Sequence, residues 1–122
     1  MINLIDISKS FRGQSVLDKV TYNFQEGDIV GILGPHSSGK TTLLKILAGL
    51  LKQDDGEYLI NDEKFRPKHL AKIAYLPEEK GLYPNATVLE LMIYFAGLRG
   101  ISKYDARVEA IRFLDRFQIV ET

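Results

Sequence analysis

The sequence predicts an α/β domain, and three patterns carry that prediction. An apolar, β-branched run at residues 28–33 leads directly into a glycine-rich loop and then into a helical pattern. Other segments alternate apolar and polar residues, as half-buried strands do. The last third of the chain has the wider apolar spacing of two amphipathic helices. A strand that enters a glycine-rich loop and then a helix is typical of phosphate-binding α/β domains.

The glycine-rich loop carries the strongest chemical signal. Residues 34–41 read Gly-Pro-His-Ser-Ser-Gly-Lys-Thr, which matches the pattern G-x-x-x-x-G-K-T. In this P-loop (Walker A) pattern, backbone amides and a helix N-terminus surround a polyphosphate. Gly34 and Gly39 suit backbone that lies close to a ligand. We predict that Lys40 neutralises the β- and γ-phosphates and that the Thr41 hydroxyl binds Mg²⁺. The other loop residues expected to line the nucleotide are Pro35, His36, Ser37 and Ser38.

The remaining elements follow from local patterns. Strands are predicted at residues 3–8, 16–24, 28–33, 56–60 and 72–76, and a helix at 42–49 with Gly49 as its stop signal. Thr87 and Glu90 fit a capping box at the start of a second helix, and Ser102 begins a third. One face of the second helix is marked by Leu91, Tyr94, Phe95 and Leu98. The inward face of the third is predicted to comprise Val108, Ile111, Leu114 and Phe117.

Composition limits the classes of partner. The chain has 16 basic and 16 acidic residues, so no net field favours nucleic acid or an anionic membrane. The absence of cysteine excludes disulfides and cysteine-bound zinc. No apolar run approaches the roughly 20 residues that cross a bilayer. We therefore expect no nucleic-acid partner and only a peripheral membrane role.

Several blocks together resemble the ATP-binding-cassette (ABC) ATPases. They are residues 7–11 with 16–20, 34–44, 50–57 and 73–84, and they span nearly the whole chain. The resemblance implies the N-terminal part of a nucleotide-binding domain of the P-loop NTPase fold, with antiparallel strands, a P-loop strand and helix, and the start of a helical subdomain. It places a partial ATP-binding core at residues 1–86 and the start of the helical subdomain at 87–122.

The same resemblance implies roles for residues outside the P-loop. Phe11 falls at the aromatic position that stacks on adenine, and Val16 at the position that packs on the sugar. Both are also explained as ordinary core residues. Thr42 would reach the α-phosphate. Glu78 stands where the family usually has a glutamine that touches Mg²⁺.

Two departures from the family pattern matter. His36 replaces the commoner asparagine, and we interpret it as solvent-facing. Glu78 brings a negative charge beside the phosphates, which a bound metal has to offset.

The hydrolytic half of the family pattern is missing from the sequence. There is no Leu-Ser-Gly-Gly-like signature, no strand that ends in Asp-Glu and no later switch histidine. Asp62 and Glu63 follow too short an apolar run and belong to a predicted hairpin. Because phosphoryl transfer needs positioned charge and an oriented nucleophile, we predict no catalytic residue here and ATP binding with negligible hydrolysis. The chain resembles a truncated domain, whose open sheet edges favour oligomers.

The resemblance implies an ATP-binding subunit, or a fragment of one, that binds Mg-ATP to energise transport. Its partners would be a membrane-embedded subunit and a second nucleotide-binding subunit, at the cytoplasmic face of the cell membrane. Residues 76–84 resemble export-type subfamilies. The alternatives are a soluble ABC protein outside transport and a non-catalytic nucleotide-binding regulator. A P-loop GTPase would need an Asn-Lys-x-Asp element, which is absent, and a small-molecule kinase would need a lid rich in arginine, for which there is no candidate.

Overall fold

The computed structural model describes residues 1–79, 81 and 83–119. The chain forms two compact units, one over Met1–Tyr75 and a second that begins at Leu76. Each unit has its own hydrophobic cluster.

The first unit contains a four-stranded antiparallel sheet. Its strands are β1 (Ile2–Phe11), β2 (Gln14–Phe24), β3 (Asp55–Ile60) and β4 (Glu63–Lys64), in the order β2-β1-β3-β4. Two-residue turns join β1 to β2 at residues 12–13 and β3 to β4 at 61–62, and all four turn residues have positive φ. Such turns match the twist of antiparallel hairpins. The strands predicted at 3–8, 16–24 and 56–60 are therefore confirmed.

Helix α1 (Lys40–Leu47) covers this sheet. Ile46 is 1% exposed and packs with Leu4, Ile7, Leu17 and Tyr58 in one buried cluster. The predicted helix at 42–49 is confirmed, although it begins and ends two residues earlier.

The C-terminal end of α1 is closed by a Schellman motif. Gly49, at φ 71°, donates its N–H to the Ile46 carbonyl, and the Leu50 N–H reaches Lys45, both at 2.9 Å. These two bonds satisfy carbonyls that a helix end leaves without partners. Gly49 therefore acts as the predicted stop signal.

Two predicted strands are wrong. The predicted strands at residues 28–33 and 72–76 do not form within the described part of the chain, and Lys72 ends a short 3₁₀ helix instead. Ile29 is 101% exposed, Leu33 95% and Leu76 94%. A strand needs a neighbour that takes up its backbone N–H and C=O groups. No described strand pairs with either segment, so the apolar pattern alone does not produce a strand. The 3₁₀ helix spans Pro67–Lys72.

The second unit contains helices α2 (Val88–Leu98) and α3 (Lys103–Arg116). The predicted capping box is confirmed: the Glu90 N–H donates to the Thr87 hydroxyl at 3.2 Å, and the Thr87 N–H donates to the Glu90 carboxylate at 2.8 Å. Ser102 caps α3 by accepting from the Asp105 N–H at 3.1 Å. No helix in the described ranges combines the length and apolarity needed to cross a membrane.

The predicted inward face of α3 is partly wrong. Leu114 is buried, but Val108, Ile111 and Phe117 are at least 42% exposed. On the apolar face predicted for α2, Leu91 is buried, whereas Tyr94, Phe95 and Leu98 are exposed. The buried stripe of α3 is instead Ala106, Ala110 and Leu114, spaced by four residues, and Leu89, Met92 and Ile93 of α2 belong to the same cluster as the last two. Small alanine side chains let two helices approach closely, so they occupy the seam and displace the larger residues.

Candidate nucleotide-binding site

The loop at residues 34–39 is folded around the side chain of Lys40. The Lys40 ammonium donates to the Gly34 carbonyl at 2.7 Å, to the Pro35 carbonyl at 2.6 Å and to the Ser38 hydroxyl at 3.1 Å. An ammonium has three protons, so all three are used within the loop. The lysine predicted to meet phosphate is thus held at the centre of the curled segment.

Gly39 joins this loop to α1. It occupies the N-cap position at φ 91° and ψ 2°, a left-handed conformation that favours glycine. The first helical bond runs from the Leu43 N–H to the Gly39 carbonyl at 2.9 Å. The amides of residues 40–42 therefore stand at the open, partially positive end of α1. The first turn contains no acidic side chain, so nothing there opposes an anion.

Strand β2 lies directly against Gly39. A β-carbon at position 39 would stand 2.8 Å from the Val16 carbonyl oxygen and 3.0 Å from a methyl of Leu17. Val16 is itself the extra residue of a β-bulge, because Lys9 pairs with Leu17 and Ser10 with Ser15. Bulges redirect backbone and are common beside functional sites. This one brings the hairpin into contact with the loop.

Phe11 ends β1 at the tip of the same hairpin, paired with Gln14. Its ring is 43% exposed and is not part of the buried cluster, so the alternative of an ordinary core aromatic is wrong. The Lys9 ammonium lies over the ring, 5.3 Å from its centroid. Val16, two residues along β2 from Gln14, is half-buried. The hairpin therefore places Phe11 and Val16, the residues predicted to meet the adenine and the sugar, at the end of the sheet that meets the loop.

The other predicted residues lie in the loop, in the first turn of α1 or in the second unit. His36 is exposed, as expected from its solvent-facing interpretation, and Ser37 adopts φ 60°. Thr41 is exposed and Thr42 half-buried, in the first turn of α1. Glu78 is exposed and belongs to the second unit.

These donors suit a magnesium nucleotide. Loop amides, an ammonium and a helix N-terminus are the groups that bind phosphate oxygens. The Thr41 hydroxyl is a hard oxygen ligand of the kind that Mg²⁺ accepts alongside phosphate and water. Gly39 leaves the backbone bare where a side chain would collide with Val16.

Sequence reasoning missed one group beside this site. The Asp54 carboxylate lies 2.5 Å from the Lys9 ammonium and accepts the Ser10 N–H at 2.8 Å. These bonds lower the pKa of Asp54, the one from the Lys9 side chain most. The partners are 44 and 45 positions apart in sequence, so no local pattern reveals the pairing.

The hairpin, the curled loop and the capped helix together define a P-loop nucleotide-binding domain. The model of the ABC transporter family matches residues 17–122. The chain therefore belongs to the ABC transporter family, and the predicted family and P-loop α/β fold are confirmed.

Similar proteins agree with this assignment. An uncharacterized ABC transporter ATP-binding protein of Methanocaldococcus jannaschii is 34% identical, over 97% of this chain and 42% of that protein. Another, of Bacillus subtilis, is 35% identical, over 99% of this chain and 41% of that protein. A solved ATP-binding cassette, a dimer in a post-hydrolysis state bound to ADP and Pi, superposes with a TM-score of 0.79 at 28% identity and covers 94% of this chain and 56% of that one. The chain thus spans about two fifths of the length of these curated relatives.

Proposed function

We propose that this chain is the ATP-binding part of an ABC transporter subunit and that it binds Mg-ATP through residues 34–42. One observation carries the proposal: the ammonium of Lys40 is held inside the curled loop, directly before the free amides of α1. This arrangement collects positive charge and backbone donors at one point. A triphosphate is the common cellular ligand that matches them.

Each part of the nucleotide has its own residues in this proposal. Lys40 takes the β- and γ-phosphates and Thr42 the α-phosphate, while Phe11 stacks on the adenine and Val16 packs against the sugar. Thr41 and Glu78 supply oxygen ligands to Mg²⁺. Phenylalanine offers no hydrogen bond, so stacking on Phe11 discriminates poorly between adenine and guanine. Affinity then depends mainly on the phosphates.

We further propose that this 122-residue chain binds ATP without hydrolysing it. Its sequence has neither an acidic pair at the end of an apolar strand nor a signature loop. Without a carboxylate that orients water, the bound triphosphate lacks an activated nucleophile. No residue of the chain is assigned a catalytic role, and hydrolysis belongs to the full-length family member.

The proposed partners are a membrane-embedded transporter subunit and a second nucleotide-binding subunit, at the cytoplasmic face of the membrane. The relatives named as ABC transporter ATP-binding proteins support the first. The dimeric state of the solved cassette supports the second. Export as the direction of transport stays a prediction from residues 76–84.

Calorimetric titration of the purified chain with ATP, ADP and tripolyphosphate, with and without Mg²⁺, tests the binding. We expect binding of all three ligands and at least a tenfold weaker affinity in Lys40→Ala. Lys45→Ala is the matched control, because Lys45 lies exposed in the last turn of the same helix, away from the loop. Equal affinities in Lys40→Ala and wild type would contradict the proposal. Magnesium-dependent phosphate release above the Lys40→Ala background would contradict the lack of hydrolysis.

A further inference from the structure

We propose that Asp54 is a positioning residue for the base end of the site: through Lys9 and Ser10 it fixes the Phe11 ring beside the P-loop. The proposal rests on the proposed function, because it assumes that Phe11 meets the base of the bound nucleotide. Asp54 immediately precedes β3 and lies outside the loop in sequence.

Asp54 forms hydrogen bonds with the part of β1 that extends beyond the first residue of β3. The last pair between β1 and β3 is Ser8 with Asp55, so residues 9–11 of β1 run past the start of β3. Asp54 donates its own N–H to the Ser8 carbonyl at 2.9 Å and accepts the Ser10 N–H on its side chain at 2.8 Å. The carboxylate thereby takes the place of the missing β3 backbone as an acceptor for an N–H of β1.

The second carboxylate oxygen reaches the aromatic ring through Lys9. It lies 2.5 Å from the Lys9 ammonium, whose side chain is only 14% exposed. That ammonium lies 5.3 Å from the centroid of Phe11. Residues 9 and 11 share one face of β1, so the cation lies next to the ring in the strand geometry itself. Phe11 does not belong to the buried cluster, and the Lys9 ammonium contacts its ring.

The pairing opposite this segment connects it to the loop. The bulge residue Val16 lies across from Lys9 and Ser10, and its carbonyl abuts Gly39. Asp54 thus braces one strand of the hairpin while the other strand touches the loop. The bonds of Lys40 lie wholly within the loop and helix. Loss of Asp54 is therefore expected to disturb the base end and leave the phosphate end intact.

This separation predicts a ligand-specific effect. ATP uses both ends of the site, whereas tripolyphosphate has no base and uses only the loop. Loss of a cation–π contact corresponds to about a 2- to 5-fold change in affinity. We expect Asp54→Asn and Lys9→Met to weaken the affinity for ATP by about this factor and to leave the affinity for tripolyphosphate unchanged. Phe11→Ala should weaken the affinity for ATP about 5-fold or more, because a base–aromatic stack is lost.

The control is a second ion pair in the same sheet. The Lys64 ammonium lies 3.0 Å from the Glu57 carboxylate on the β3–β4 hairpin. Lys64→Ala removes this more exposed lysine–carboxylate pair of the same sheet, and both ligands should bind the variant as they bind the wild type. Equal weakening of ATP and tripolyphosphate by Asp54→Asn, or no weakening of either, overturns the positioning role. Failure of the wild type to bind tripolyphosphate overturns the proposed function itself.

A measurement on the ring itself needs no ligand. The chain contains no tryptophan, so Phe11→Trp introduces a single indole reporter at this position. We expect its steady-state anisotropy to fall when Asp54→Asn is added and to stay the same when Lys64→Ala is added. An unchanged anisotropy in the Asp54→Asn background, with thermal unfolding still cooperative, would show that the carboxylate does not order the ring and would overturn the inference.

Discussion

The backbone carbonyl of Val16 lies against Gly39, so close that a β-carbon on residue 39 would stand 2.8 Å from its oxygen. This contact joins the bulge of β2 to the start of α1 and fixes the loop relative to the sheet. It also explains the second glycine of the motif in structural terms, because φ there is 91°.

Gly39→Ala is expected to impair both folding and binding. The added methyl meets backbone, which cannot turn aside, and an alanine at that φ is strained, so we expect a loss of about 1–3 kcal/mol in unfolding free energy. ATP affinity should fall at least tenfold. Urea unfolding and calorimetry measure the two effects. Gly31→Ala serves as the control, since a β-carbon there meets nothing within 4 Å; a similar loss in both variants would contradict the explanation.

Glu78→Gln is expected to change the magnesium dependence of binding. In the proposed site the Glu78 carboxylate repels the phosphates unless a metal lies between them, so the amide should strengthen metal-free ATP binding by about 2- to 10-fold. With Mg²⁺ present the gain should shrink or reverse. Titrations in EDTA and in Mg²⁺ distinguish these cases. The neighbouring Glu79 is also exposed, and Glu79→Gln should show no such difference.

Tyr58→Phe is expected to loosen the attachment of α1 to the sheet. The Tyr58 hydroxyl donates to the Leu47 carbonyl at 2.8 Å, and the ring stacks on Phe65 with centroids 4.8 Å apart. Burial raises the pKa of Tyr58 to about 12, so the hydroxyl keeps its proton throughout the neutral range. Removing it should lower the unfolding free energy by about 0.5–1.5 kcal/mol. The control is Tyr22→Phe on the half-exposed Tyr22, and an equal effect there would argue against a specific role for this bond.

Acid should weaken the start of α2. The Thr87 backbone N–H and then its hydroxyl hold the pKa of Glu90 below its usual 4.5. For a carboxyl whose pKa is depressed by folding, the stabilisation is fully present above the unfolded value and is lost as pH falls through the lower folded value. Helical circular dichroism should therefore decline below about pH 4.5. Glu90→Ala should remove this part of the pH dependence, and an unchanged acid profile in that variant would refute the assignment.

Local patterns in the sequence predict the elements whose stabilising contacts join residues close in sequence. Strands β1 and β2, the Thr87 capping box and the Gly49 stop all depend on residues within a few positions of one another. The P-loop was predictable for the same reason, since Gly34, Gly39 and Lys40 are contiguous with their helix.

Features that depend on distant partners escaped prediction. Residues 28–33 have the composition of a strand, but no described strand supplies their hydrogen bonds, and Ile29 and Leu33 stay exposed. The sequence pattern predicts large apolar residues on the inward face of α3, whereas Ala106 and Ala110 are the residues buried there. Asp54 was invisible because its partners, Lys9 and Ser10, lie on another strand.

The three bonds of Lys40 have a consequence for how tightly any anion is held. Every proton of its ammonium already has an oxygen partner in the loop, so an arriving phosphate exchanges one acceptor for another. The loop oxygens therefore compete with the phosphate for the ammonium. The affinity for an anion reflects the difference between these two bonded states. Binding thus replaces existing hydrogen bonds of the ammonium and does not fill free ones, which lowers the net gain from each phosphate contact.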